Sequence, residues 1–135
     1  MVRASRYIPE RGDVVWIRLN PQAGHEQAGR RPALVLSPAT YNGLTGLALL
    51  CPITSQVKGY PFEVPVPEGL SITGVILADQ IKSLDWRARN AEFLCTLPSA
   101  TVAETLKKGA TLTVDPQNGS ARDNPDRALK EIRSR

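Results

Sequence analysis

Three stretches of this 135-residue chain combine residue types that could act on a phosphate or a base. The first ends Glu26-Gln27-Ala28-Gly29-Arg30-Arg31-Pro32. Proline biases the residue before it toward extended backbone, so Arg31 is expected to hold its guanidinium at the mouth of a strand. A guanidinium offers paired N–H donors suited to phosphate oxygens. The plainer alternative is that Arg31 pairs with Glu26 and stiffens the loop. The second stretch, Pro52-Ile53-Thr54-Ser55-Gln56-Val57-Lys58-Gly59-Tyr60-Pro61, carries two hydroxyls, an amide, an ammonium and a ring on which a base can stack. Gly59 permits close backbone approach, although Thr-Ser-Gln is also ordinary turn composition. The third, Leu77-Ala78-Asp79-Gln80-Ile81-Lys82-Ser83, sets polar residues between apolar segments. Asp79 and Gln80 there are either base-edge readers or turn residues.

Other chemistries are excluded by what is scarce. His25 is the one histidine, so a single chain can build neither a His–His acid–base pair nor a multi-histidine metal site. His25 stands in a Gly-flanked loop and reads as an exposed residue rather than a catalyst. Cys51 and Cys95 lie far apart and form no C-x-x-C, so reduced, partly buried thiols are expected. Neither a metal nor another cofactor is implied. No apolar run approaches the ~18–20 residues that cross a bilayer, and no apolar stretch follows the N-terminal charges. A cytoplasmic protein without membrane attachment is the expectation.

The net charge is +4, with 17 basic and 13 acidic residues. Residues 1–31 hold six arginines, no lysine and three carboxylates. Residues 32–103 are close to balanced, and 104–135 are again basic. This permits an anionic partner but equally describes solvated surface charge.

Short strands punctuated by turn formers must position these groups. Asp13 to Leu19 is rich in β-branched and aromatic residues and reads as a first strand. A polar connection of about a dozen residues follows, long for a small domain. Pro32 to Ser37 and Leu47 to Thr54 read as buried strands, with a turn or helical turn from Pro38 to Leu44 broken at Asn42-Gly43. Pro52 inside the third run requires an edge or a bulge. Phe62 to Val66, Gly74 to Ala78 and Ile81 to Trp86 complete the strands. Thr101-Val102-Ala103-Glu104 has the spacing of a capping box, with Thr101 as N-cap, opening a helix that ends at Lys108 before Gly109 or continues through Leu112. Five or six strands and a terminal helix predict a mainly β fold with one or two short helices, a small, curled, SH3-like barrel.

Seven blocks in order resemble the MazF/PemK family of toxin endoribonucleases: Arg6-Tyr7-Ile8-Pro9, Gly12-Asp13-Val14-Val15-Trp16, Glu26 through Pro38, Tyr41-Asn42, Pro52-Ile53-Thr54, Lys58 through Glu63, and Ala78 through Arg89. The resemblance runs from about residue 5 to about residue 113. It implies a PemK-type barrel over residues 1–115, a homodimer, and metal-independent cleavage of single-stranded RNA, notably mRNA. It also implies a cognate antitoxin whose acidic, flexible tail occupies the RNA groove. The family's arginine before proline matches Arg31, the threonine ending its third strand matches Thr54, and its loop glutamate matches Glu26. Arg30 and His25 stand at variable loop positions and inherit no catalytic role. Residues 116–135 extend past the resemblance as a basic tail, either flexible or a short helix.

On this reading Arg31, Thr54 and Glu26 are catalytic. Substrate contacts are expected from Asn20, Gln22, Gln27 and Arg30 in the first loop, Ser55, Gln56, Lys58 and Tyr60 in the second, and Asp79, Gln80 and Lys82 in the third. Two other functions suit the same fold, a gyrase-poisoning toxin of the CcdB type and an RNA-binding barrel that does not cut. The gyrase poisons use an apolar C-terminal end, whereas this chain ends Arg133-Ser134-Arg135.

Overall fold

A computed structural model describes residues 7–19 and 29–113. Among them are the strands β1 (Asp13–Arg18), β2 (Arg30–Val35), β3 (Leu47–Thr54), β4 (Glu63–Pro65), β5 (Val75–Leu77), β6 (Lys82–Asp85) and β7 (Glu92–Thr96). Helix α1 (Ala39–Thr45) lies between β2 and β3, and α2 (Ser99–Thr111) follows β7. The strands form one antiparallel sheet in the order β4-β5-β3-β2-β1-β7, with β6 also paired to β3. None of the described helices is long and apolar enough to cross a membrane.

β1, β2 and β3 read as near-continuous apolar runs because both faces of the sheet are covered. Val14, Leu34, Cys51, Ile53, Val64 and Ile76 pack on one side together with Val102 of α2. Val15, Ile17, Ala33, Val35, Ala48 and Leu50 pack on the other with Trp86. Strand side chains alternate between faces, so neighbouring residues feed different clusters.

β3 is a central strand, which corrects the expected edge or bulge at Pro52. One side of β3 pairs with β2. Its other side pairs with β6 from Leu47 to Leu50 and with β5 only from Ile53. Pro52 falls in the interval where the partner changes, a place where a strand tolerates a missing N–H. β7 was not anticipated. It carries a bulge opposite Val14 and Val15, lies at the sheet edge and is mostly exposed, so its sequence lacks a buried strand's alternation.

Both helices differ from expectation at their ends. α1 runs through Asn42-Gly43 and stops at Gly46, whose φ of 77° supplies the left-handed turn. α2 begins at Ser99 after Pro98, and no side-chain cap forms, so Thr101 is a buried helical residue rather than an N-cap. Gly109 lies inside α2. A Cβ there would stand 2.8 Å from Ile81 Cδ1 and 3.4 Å from the Ala78 carbonyl, so its role is close packing on the β5–β6 connection.

The end of the sheet away from the candidate chemistry is tied by Asn42, which is fully buried. Its amide donates to the carbonyls of Pro9 (2.8 Å) and Ser37 (2.9 Å) and accepts from the Ser37 hydroxyl (2.6 Å). Its backbone carbonyl accepts from Trp86 Nε1 at 2.9 Å. Asn42→Ala strands several of these buried groups and is expected to cost about 3 kcal/mol, read by urea denaturation. Nearby, the Tyr7 hydroxyl donates to Asp13 Oδ2 at 2.7 Å. Burial, then that bond and the Asp13 charge, hold the phenol well above its ordinary value of 10.0. Stability from Tyr7 is therefore complete below pH ~10 and is lost as the pH rises further, because the unfolded phenol ionises first. In Tyr7→Phe this component of the alkaline loss, followed by thermal melts between pH 9 and 11, is expected to disappear.

Candidate active site

The β2–β3 register assembles the site. Ala33 faces Pro52, Leu34 faces Cys51 and Val35 faces Leu50. Continuing that register by two residues sets Arg31 opposite Thr54, and opposed residues of an antiparallel pair project to the same face. On its other side Arg31 pairs with Ile17 of β1. Arg31 is exposed and Thr54 half-buried, and both line a groove of about 350 Å³ together with Ser55, Gln56, Gln80 and Lys82.

Thr54 ends β3 in a short turn in which its Oγ1 accepts the Gln56 N–H at 3.1 Å. With a lone pair so engaged, the hydroxyl proton remains available to a ligand in the groove. Gly74, which precedes β5, has φ 118°, and a Cβ there would lie 2.0 Å from the Thr54 carbonyl oxygen and 2.9 Å from Ser55 Cα. Only glycine lets the β5 entry lie this close to the end of β3.

A second lobe of about 210 Å³ adjoins the first and shares Thr54, Gln56, Leu77 and Gln80 with it. Lys58, Tyr60, Phe62, Glu63 and Asp79 form the rest of its lining. Glu63 is only 8% exposed. Its carboxylate accepts the N–H groups of Lys58 (3.1 Å) and Gly59 (2.9 Å). Cys51 belongs to the core cluster, and burial, then the charge of Asp79, push its thiol up to about 12. It stays protonated at neutral pH and offers no nucleophile.

The structure thus gathers Arg31, Thr54, Ser55, Gln56, Lys58, Tyr60, Asp79, Gln80 and Lys82 around one two-lobed groove. It does not bring Arg30 there. Adjacent strand residues point to opposite faces, and Arg30 donates to the Trp16 carbonyl (3.3 Å) and Glu92 (3.2 Å) while lying over the Trp16 ring. Arg30 is a structural tie between β1, β2 and β7. Asn20, Gln22, His25, Glu26 and Gln27 lie outside the described residues, as does any Arg31–Glu26 pair. Among the described residues, no cluster of three His, Cys, Asp or Glu side chains is placed to hold a metal ion.

Glu63 and Gly74 had no assigned role in the sequence reading. A carboxylate between Phe62 and Val64 was the available signal for Glu63. For Gly74 there was none, because a turn glycine and a close-approach glycine look alike until the fold is known.

The fold is that of a small bacterial toxin class. A family model described as PemK-like, MazF-like toxin of type II toxin-antitoxin system matches residues 10–111. The chain belongs to this family. It is 58% identical over 87 residues to the endoribonuclease toxin MazF of Escherichia coli (strain K12), covering 64% of this chain and 78% of that protein. The crystal structure of MazF (Form-I) from Deinococcus radiodurans superposes with a TM-score of 0.74 at 57% identity, covering 79% of this chain and 97% of that one. The MazE-MazF (Form-II) structure from the same organism gives a TM-score of 0.71 at 50% identity, with 79% and 96% covered. The mainly β, PemK-type fold is therefore shown by structure and by likeness.

Gly74→Ala adds a methyl group against the Thr54 carbonyl in a backbone region that alanine avoids. An expected loss of about 3 kcal/mol in urea denaturation tests this packing.

Proposed function

We propose that this chain is a sequence-specific endoribonuclease, the toxin of a toxin–antitoxin pair, cutting single-stranded RNA and mRNA above all without a metal. Arg31 and Thr54 carry the proposal: two donors on one sheet face, in a groove lined by amides and cations. The 2′-oxygen attacks the adjacent phosphorus, the P–O5′ bond breaks, and a 2′,3′-cyclic phosphate and a 5′-hydroxyl remain. The 2′-hydroxyl proton passes to a base, and the departing 5′-oxygen takes up a proton.

Negative charge gathers on the non-bridging oxygens in the transition state. The Arg31 guanidinium supplies two parallel donors and the Thr54 hydroxyl a third, all strengthening as that charge develops. A guanidinium is a donor with no lone pair to offer, so Arg31 acts as charge stabiliser rather than general base. Glu26 takes the base role, through water. Lys58 and Lys82 draw in the phosphate backbone, while Tyr60, Gln56, Asp79 and Gln80 offer a stacking ring and hydrogen bonds to an unpaired base.

The cation-lined groove equally suits the acidic, flexible tail of a cognate antitoxin, which would exclude RNA by occupying the same donors. A homodimer is supported by a further apolar groove of about 530 Å³ between β3, α1 and α2, lined by Leu36, Tyr41, Leu49, Ile81 and Leu106. The free thiols of Cys51 and Cys95 suit the reducing cytoplasm, where we place the protein. Residues 1–115 form the toxin domain, and 116–135 are a basic extension beyond it.

Arg31→Ala and Thr54→Ala should each lower cleavage of a long single-stranded RNA by about 100-fold or more, with unchanged circular dichroism and oligomeric state. Cleavage should persist in EDTA, and mapped 5′-hydroxyl ends should cluster at one short sequence. Full activity in either variant, or a strict metal requirement, would refute the proposal.

A further inference from the structure

Residues 55–60 are exposed throughout, yet they supply Ser55, Gln56, Lys58 and Tyr60 to the groove. No ladder pairs this segment, because β3 ends at Thr54 and β4 begins at Glu63. Its order depends on few bonds. Gln56 N–H goes to Thr54 Oγ1, and the Glu63 N–H returns to the Tyr60 carbonyl at 3.1 Å. Among the described residues the remaining anchor is the Glu63 side chain. Its two oxygens divide between successive amides, Oε2 taking Lys58 N and Oε1 taking Gly59 N. Gly59 has φ 79°, the left-handed turn that lets consecutive N–H groups converge on one anion. Glu63 is itself held from the opposite side, where Lys108 Nζ of α2 donates to its carbonyl at 3.1 Å.

We infer that Glu63 is a positioning residue for substrate selection. Its buried carboxylate clamps the Lys58–Gly59 backbone and so holds Lys58 and Tyr60 as one wall of the lobe beside Thr54. The inference rests on the endoribonuclease reading and adds to it the determinant of that lobe's shape. A buried carboxylate is stable only while its charge is met by hydrogen bonds, and these two amides meet it. The dependence is mutual: without the carboxylate the two N–H groups lose their partner and the wall loses its fixed position. Glu63 belongs to the lining of the lobe but acts here through the loop, not on the scissile phosphate.

Glu63→Gln is the sharpest test, because an amide of nearly the same shape presents one accepting oxygen and one N–H group to the two donors. Amide hydrogen exchange should show lost protection at Lys58 and Gly59, with the strand amides of β1–β3 unchanged. Cleavage should be compared on pairs of short RNAs that differ by one nucleotide beside the cut. The ratio of kcat/KM values is expected to fall about 10-fold, and the loss should lie mainly in KM because Arg31 and Thr54 are untouched. Gly59→Ala provides a second perturbation, since no atom lies within 4 Å of its added Cβ and only the left-handed backbone is disfavoured. It should shift exchange and selectivity in the same direction even if Glu63→Gln folds poorly. Full protection of both amides in Glu63→Gln overturns the clamp, and a selectivity ratio within about two-fold of the parent's overturns the role in selection. A parent protein that cleaves no RNA counts against the enzymatic reading alone, and the exchange experiment still decides the clamp.

Discussion

The site depends on the register between β2 and β3. Because side chains alternate strictly along a strand, the pairing of Ala33 with Pro52 decides which arginine of the Arg30-Arg31 pair shares a face with Thr54. Arg31 does, and Arg30 is turned to Trp16 and Glu92. A slip of one residue would exchange the two and send the apolar side chains of β2 to the wrong clusters. The hydrophobic core therefore guards the chemistry: Leu34 and Val35 must each reach their own side of the sheet, and that requirement also aims Arg31. Two arginines adjacent in sequence have separate surroundings for this reason alone.

Register brings the groups together, but it does not hold the ends of the strands, where ladders stop. The far end is tied by Asn42 and Trp86, a buried hydrogen-bond knot spanning the N-terminal segment, α1 and the turn after β6. At the groove end two smaller devices serve. Gly74 lets the entry to β5 lie directly on the backbone of Thr54 and Ser55. Glu63 gathers the amides of the following loop, and Lys108 connects Glu63 to α2. Both devices act on backbone rather than on functional side chains, so the groove-lining residues remain exposed to a ligand while their main chain is fixed.

The central strands were legible because burial on both faces leaves long apolar runs, and β3 was read with its observed limits, Leu47 to Thr54. β7 was not, since an edge strand with a bulge has neither alternation nor a continuous apolar run. Thr101-Val102-Ala103-Glu104 matched a capping motif by spacing, yet α2 starts three residues earlier because Pro98 already sets the extended entry. In the groove, side chains that could meet a ligand were identifiable by type. Glu63 and Gly74 were not, because each acts through a contact with backbone distant in sequence or folded back upon it. Such contacts leave no periodicity to read. The face on which Arg30 lies was not legible for a simpler reason: composition does not reveal pleat.

An exposed arginine in an open groove is well solvated before a ligand arrives, and its field is weakened by water and salt. On the endoribonuclease reading, RNA itself supplies the missing condition. A base entering the lobe beside Tyr60 and a phosphate arriving at Arg31 displace water from the same continuous surface, and the donors then act in a medium where they are worth more. On the same reading, with Glu63 as the proposed clamp, catalysis and selection are coupled by this arrangement. A nucleotide that fits the wall held by Glu63 closes the groove around Arg31 and Thr54, whereas one that does not leaves the phosphate wet and its developing charge poorly stabilised. Discrimination among RNA sequences then requires no contact by the catalytic residues with any base, only a loop rigid enough that a poor fit cannot be accommodated.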